Sequence, residues 1–140
     1  IAGVLDKQDI QYVAIERDPL LVRAMAREGR PVRLGDASRL ETLRDAGLDR
    51  ASAVVVTIAD KQATEDLTGE IHRLAPMMPV FARARDSSHA HRLHELGATL
   101  AVPETIEGSL RLAELLLIEY GTDDETAARW IELERSKEET

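Results

Sequence analysis

The 140-residue chain contains no cysteine, which removes disulfides, thiolate zinc sites and thiol nucleophiles together. Aromatics number only four (Tyr12, Phe81, Tyr120 and Trp130) against a hydrophobic share of 44%. Any core must therefore rest on Val, Ile, Leu and Ala, the residues that interior parallel strands favour. A surplus of positive charge is missing too. Eighteen Lys and Arg against 26 Asp and Glu leave a formal charge of -8, which argues against binding a phosphate backbone, so no nucleic-acid partner is expected. Apolar runs such as Leu115–Ile118 stay far short of the roughly 20 residues of a membrane-spanning helix. No secretory signal is visible, and the chain reads as one soluble domain.

What is present is a repeated unit. Four times a short apolar stretch runs into an acidic residue: Val13-Ala14-Ile15-Glu16, Val32-Arg33-Leu34-Gly35-Asp36, Val54-Val55-Val56-Thr57-Ile58-Ala59-Asp60 and Phe81-Ala82-Arg83-Ala84-Arg85-Asp86. A helical pattern follows each, so the expected fold is α/β with a parallel sheet, because parallel neighbours need a crossover. All carboxyl ends of an open parallel sheet meet at one edge, where ligands bind. The acids collect at that edge.

Strands are expected at Gln11–Ile15, Val32–Leu34, Ala53–Ile58, Val80–Ala84 and Leu100–Val102. Ala53–Ile58 is apolar on both faces and reads as central. Asp18-Pro19 marks a helix start, an N-cap acid with proline in the first turn, and that helix runs to about Glu28. Further helices are expected from Ser38 to Gly47, over Lys61–Leu74, from Ser87 to Leu96, from Ile106 to Tyr120 and from Glu125 to about Lys137. Ile106, Leu110, Ala113 and Leu117 mark one face of the fifth. The last carries Trp130, Ile131 and Leu133 and ends in an acidic tail expected to fray.

A nucleotide-binding sheet normally holds its phosphates with a glycine loop after the first strand. No G-x-G-x-x-G occurs here, and the first ten residues read as the back half of a helix. The expectation is a Rossmann-like three-layer fold whose first strand and glycine loop are missing from this chain.

Val13-Ala14-Ile15-Glu16-Arg17-Asp18-Pro19, Gly35-Asp36-Ala37-Ser38, Ala82-Arg83-Ala84-Arg85-Asp86 and Pro103-Glu104-Thr105-Ile106-Glu107-Gly108-Ser109-Leu110, taken in order, resemble the RCK or TrkA-N regulatory domain of potassium transport systems. The nearest branch is the one attached to Kef-type glutathione-regulated efflux proteins. Residues 1–121 would then be the nucleotide-binding domain, truncated at its N-terminus, and residues 122–140 a C-terminal acidic helix and tail. The resemblance implies a cytoplasmic ligand-sensing module with no catalytic residues. It would bind NAD(H) or an adenine nucleotide (AMP, ADP or ATP), form a homodimer, and gate a potassium efflux or cation–proton antiport domain in the cell membrane. Two other classes stay open: a fragment of an NAD-dependent oxidoreductase, and a stand-alone soluble Rossmann protein.

Glu16 sits where a Rossmann sheet places the acid that accepts from the adenosine ribose hydroxyls. A carboxylate chelates a vicinal diol and repels a 2′-phosphate, which favours NAD(H) or an adenine nucleotide over NADP. The competing reading is a solvated acid at a strand end. Arg17 would cover the adenine or a phosphate, or be a plain surface arginine. The resemblance places Asp36 and Ala37 against the adenine edge, although Asp36 could equally start a helix. Ile58 and Ala59 would supply apolar contact beneath the nucleotide, with Asp60 as a helix cap.

Arg83 and Arg85 alternate with alanines and so share a face with Phe81. Two arginines at a parallel strand's carboxyl end point to an anion, and the resemblance implies glutathione. The alternative is an ion pair with Glu104 or Asp86. His72, His89, His91 and His94 show no metal-ligand spacing and read as solvated helix histidines. No triad or lysine-based constellation is visible.

Overall fold

A computed structural model describes residues 1–138. Its elements run α1 (Ala2–Lys7), β1 (Ala14–Glu16), α2 (Pro19–Arg27), β2 (Val32–Leu34), α3 (Leu40–Ala46), a 3-10 turn at Leu48–Arg50, β3 (Val54–Val56), α4 (Lys61–Leu74), β4 (Val80–Ala84), α5 (Ser87–Glu95), β5 (Leu100–Pro103), α6 (Glu104–Glu119) and α7 (Asp124–Glu138). Every ladder is parallel. The alternation and the ladders together make the Rossmann-like α/β arrangement that the sequence pattern predicts.

Acidic caps start the helices as expected, because each satisfies an amide the helix cannot. Asp18 accepts from the Leu20 amide at 2.9 Å ahead of Pro19. Asp60 accepts from the Ala63 amide at 2.7 Å, and Asp86 from that of His89 at 2.9 Å. Gly97 follows α5 at φ +106 with the His72 ring against it, so close that a Cβ there would lie 2.2 Å from the ring. Only glycine fits that turn.

The sheet comes in two parts, β1–β2 and β3–β4–β5, with β4 in the middle of the second. β4 alternates by residue: Val80, Ala82 and Ala84 are buried, while Phe81 and Arg85 are exposed. Leu67 and Ile71 of α4 and Leu93 of α5 complete this core. Burying a side chain of that size contributes about 1.5–3 kcal/mol.

Several boundaries differ from the sequence reading, and three of them are instructive. β1 begins at Ala14 rather than Gln11, since its ladder with β2 starts at Ala14 opposite Val32. α3 begins at Leu40 rather than Ser38, because Asp36 ties Ser38 into a turn through both its amide and its hydroxyl. β3 is shorter than expected and lies at an edge rather than in the centre, with Val55 50% exposed. Its apolar composition fixes neither the number of hydrogen-bonded neighbours nor the burial of both faces.

α6 and α7 pack on each other. Ala127 and Ile131 of α7 are buried, as is Leu110 of α6, but Ala113, Trp130 and Leu133 are exposed rather than part of the inner stripes. Arg135 clamps the pair, reaching Glu107 with Nε at 2.9 Å and Nη2 at 3.0 Å, and also meeting Glu132. These bonds hold its guanidinium still more firmly in the charged form. The expected fraying of the tail falls partly on Glu139 and Thr140, which lie outside the described residues. Among the described residues no helix is long and apolar enough to cross a membrane.

Candidate functional site

The predicted residues gather at the carboxyl ends of the strands in two groups. The first joins the ends of β1 and β2, where the Gly35 amide donates to the Glu16 carbonyl at 3.0 Å. Glu16 turns back on its own chain, Oε1 accepting from the amides of Arg17 at 2.9 Å and Asp18 at 3.0 Å. Its Oε2 accepts nothing from the described residues and stays available for a hydroxyl. Asp36 accepts from the Ser38 hydroxyl at 2.6 Å and the Ser38 amide at 3.0 Å, which hold its carboxyl below the usual carboxylate range. A Cβ on Gly35 would lie 2.8 Å from the Thr42 methyl. The glycine therefore lets the turn seat on α3, a reason independent of any ligand. Ala37 is half-buried behind Asp36, and the Arg17 side chain is exposed.

The second group lines a cleft of about 570 Å³ between the ends of β3 and β4, the start of α4 and the start of α6. Ile58 and Ala59 supply its apolar wall, and Asp60, Lys61, Arg83, Arg85 and Glu104 its charges. The structure thus brings Ile58, Ala59, Arg83 and Arg85 together, while Glu16, Arg17, Asp36 and Ala37 are not among this cleft's lining residues.

The two arginines part company here. Arg83 Nη1 pairs with Glu104 at 3.1 Å, and Nη2 donates to the Thr57 carbonyl at 2.8 Å, so the internal ion pair left open by the sequence is formed. Arg85 is exposed, and its guanidinium has no hydrogen bond or ion pair among the described residues. Lys61 likewise makes no side-chain hydrogen bond or ion pair among the described residues. Lys61, Arg83 and Arg85 against Asp60 and Glu104 leave the cleft a small positive excess that suits an anion.

Sequence reasoning missed His89. It is 2% exposed, not solvated, and it lines the cleft. The signal was its position one turn before Leu93, on the inward face of α5. His72, His91 and His94 are exposed as expected, and among the described residues no cluster of acids and histidines could hold a metal.

With this geometry in place, comparison with known proteins narrows the field. The family model described as TrkA-N domain matches residues 1–104. The chain is 34% identical over 122 residues to the glutathione-regulated potassium-efflux system protein KefC of Cronobacter sakazakii, covering 86% of this chain and 20% of that protein. It spans a fifth or less of the length of three such curated relatives. Among solved structures, the GsuK channel bound to NAD superposes with a TM-score of 0.73 at 30% identity, covering 85% of this chain and 21% of that one. The Kef C-terminal domain of Shewanella denitrificans in its AMP-bound form gives 0.70 at 22% identity, covering 89% and 90%. That last likeness concerns the fold.

Proposed function

The chain belongs to the TrkA-N domain family, and on that premise we propose that it is a nucleotide-sensing regulatory domain of a potassium efflux or cation–proton antiport system. It works without catalysis, on the cytoplasmic side of a membrane to which a transporter domain attaches it. NAD(H) or an adenine nucleotide binds across the carboxyl ends of the strands, and the bound state biases the attached transporter by population shift. Residues 1–121 form the nucleotide-binding unit, and residues 122–140 an acidic helix and tail clamped to it by Arg135.

One observation supports this most strongly: Glu16, at the end of β1, keeps one carboxylate oxygen free beside the Gly35–Asp36 turn. A ribose diol there would meet Glu16, and an adenine would face Asp36 and Ala37. Ile58 and Ala59 would lie under the ligand, with Arg17 near a phosphate. Solved relatives add weight, since GsuK is described bound to NAD and bound to ADP. Replacing Glu16→Ala should weaken NADH or ADP binding by about 1–3 kcal/mol, the range for losing a hydrogen bond to a charged group. Calorimetry returning equal affinities would remove Glu16 from the site.

Arg85, supported by Arg83, would hold an anion such as glutathione, consistent with the regulated efflux protein among the relatives. A homodimer would cover the exposed apolar side chains Leu112 and Leu116 of α6, Tyr120 just after it and Trp130 of α7. Light scattering should return twice the chain mass at high micromolar concentration, and a monomer there would count against the dimer.

A further inference from the structure

His89 sits beneath the cleft and touches its key residue through the backbone. Its Nδ1 accepts the Arg85 amide hydrogen at 3.0 Å. An amide can only donate, so Nδ1 carries no proton and the neutral ring keeps its hydrogen on Nε2. Nε2 makes no hydrogen bond among the described residues. It faces Glu65 of α4, with Oε1 at 3.8 Å and the Glu65 side chain only 13% exposed. The same carboxylate lies 3.9 Å from Arg92 Nε.

We propose that His89 is a proton-sensitive positioning residue for the Arg85 anion site. The neutral ring pins the end of β4 so that Arg85 stands at the cleft. A second proton must go to Nδ1, where it meets the Arg85 amide as donor against donor. The bond is lost and the strand end moves. This rests on the reading of Arg85 as an anion ligand.

Two effects oppose each other on protonation. The imidazolium brings positive charge toward the cleft, which by itself would strengthen anion binding. Glu65 at 3.8 Å largely neutralises that charge and draws the ring toward α4. The donor clash acts at 3.0 Å on Arg85 itself, so loss of position outweighs gain of charge. The other charges around the ring are Lys61 and Asp60 at the start of α4, the latter held by the Ala63 amide, Asp86 and Arg92 on its own helix, and Arg83 and Glu104 across the cleft, besides Arg85 itself. Of these, Asp86 is occupied in capping α5 through the His89 amide. Glu104 is paired with Arg83. Neither stands in for the lost acceptor.

The test is nuclear magnetic resonance of the isotope-labelled chain between about pH 8 and pH 5, with and without sulfate, whose charge is constant there. At the upper end the His89 nitrogens should report the Nε2–H tautomer. On acidification the Arg85 amide resonance should move with the ring's titration, and sulfate affinity should fall about tenfold, as for one lost hydrogen bond. His89→Asn offers an amide oxygen that can still accept the Arg85 hydrogen but does not titrate. It should keep the affinity found at high pH and flatten the profile, which a purely structural histidine would not do. An Arg85 amide indifferent to the ring, or sulfate affinity rising as the ring protonates, overturns the proposal, and wild-type protein alone can deliver either result. Absence of sulfate binding at both extremes, with Arg85→Gln no different from wild type, instead overturns the anion reading on which the switch depends.

Discussion

Within this chain the two halves are covered to different degrees. Around β4 the chain buries Val80, Ala82, Ala84, Leu93 and Ile71 almost completely. Around β1 and β2 nothing is buried in α2 or in either strand, and Leu20, Leu21 and Leu34 are exposed. The proposed ribose and adenine residues lie on the loosely covered half and the anion residues on the well-packed one. Binding across both would tie the weak half to the strong half, so ligand can act on this fold by ordering it.

The sharpest way to break that comparison is to cut into each half equally. Leu93→Ala, at a site with no exposure, should cost about 2–5 kcal/mol in chemical denaturation. Leu21→Ala, half exposed on α2, should stay within about 0.5 kcal/mol. Similar losses at the two sites would mean that α2 is covered in solution as α5 is.

Acid provides a gentler probe. Asp86 is held below its ordinary value by the His89 amide and then the Ser88 hydroxyl, Asp36 by the Ser38 hydroxyl and amide. A carboxylate whose folded value is depressed stabilises above its unfolded value near 4 and loses that contribution as pH falls through the folded one. Stability should therefore drop below about pH 4. Asp86→Ala should remove more of this acid sensitivity than Asp36→Ala, because Asp86 starts a helix that packs on the core while Asp36 closes a surface turn. Thermal melts at several pH values compare the two, and the reverse order would show that the β2 turn matters more to folding than its exposure indicates.

Much of this was legible in the sequence because it was written in local rules. Period-two alternation along Val80–Ala84 gives β4 and its faces, and the acids at 18, 60 and 86 give helix starts to within a residue. Residues whose environment depends on distant partners were not legible. Ala53–Ile58 has the composition of a central strand, but only pairing decides where it sits, and it pairs on one side. His89 resembles its neighbours His91 and His94 in a polar stretch. Its burial follows from the α4–α5 contact that also brings Glu65 to it. Between the two possible fates of the arginines, position along the strand chose: Arg83 reaches Glu104, and Arg85, two residues further, meets no carboxylate among the described residues.

On the proposed reading the carboxyl edge of this sheet is a nucleotide site spanning both halves. Amide shift mapping with ADP and with NADH tests it most directly. The account predicts shifts at residues 16–18, 35–38 and 58–60, strongly reduced in Glu16→Ala. Shifts confined to another face, or an unchanged map in Glu16→Ala, would contradict it.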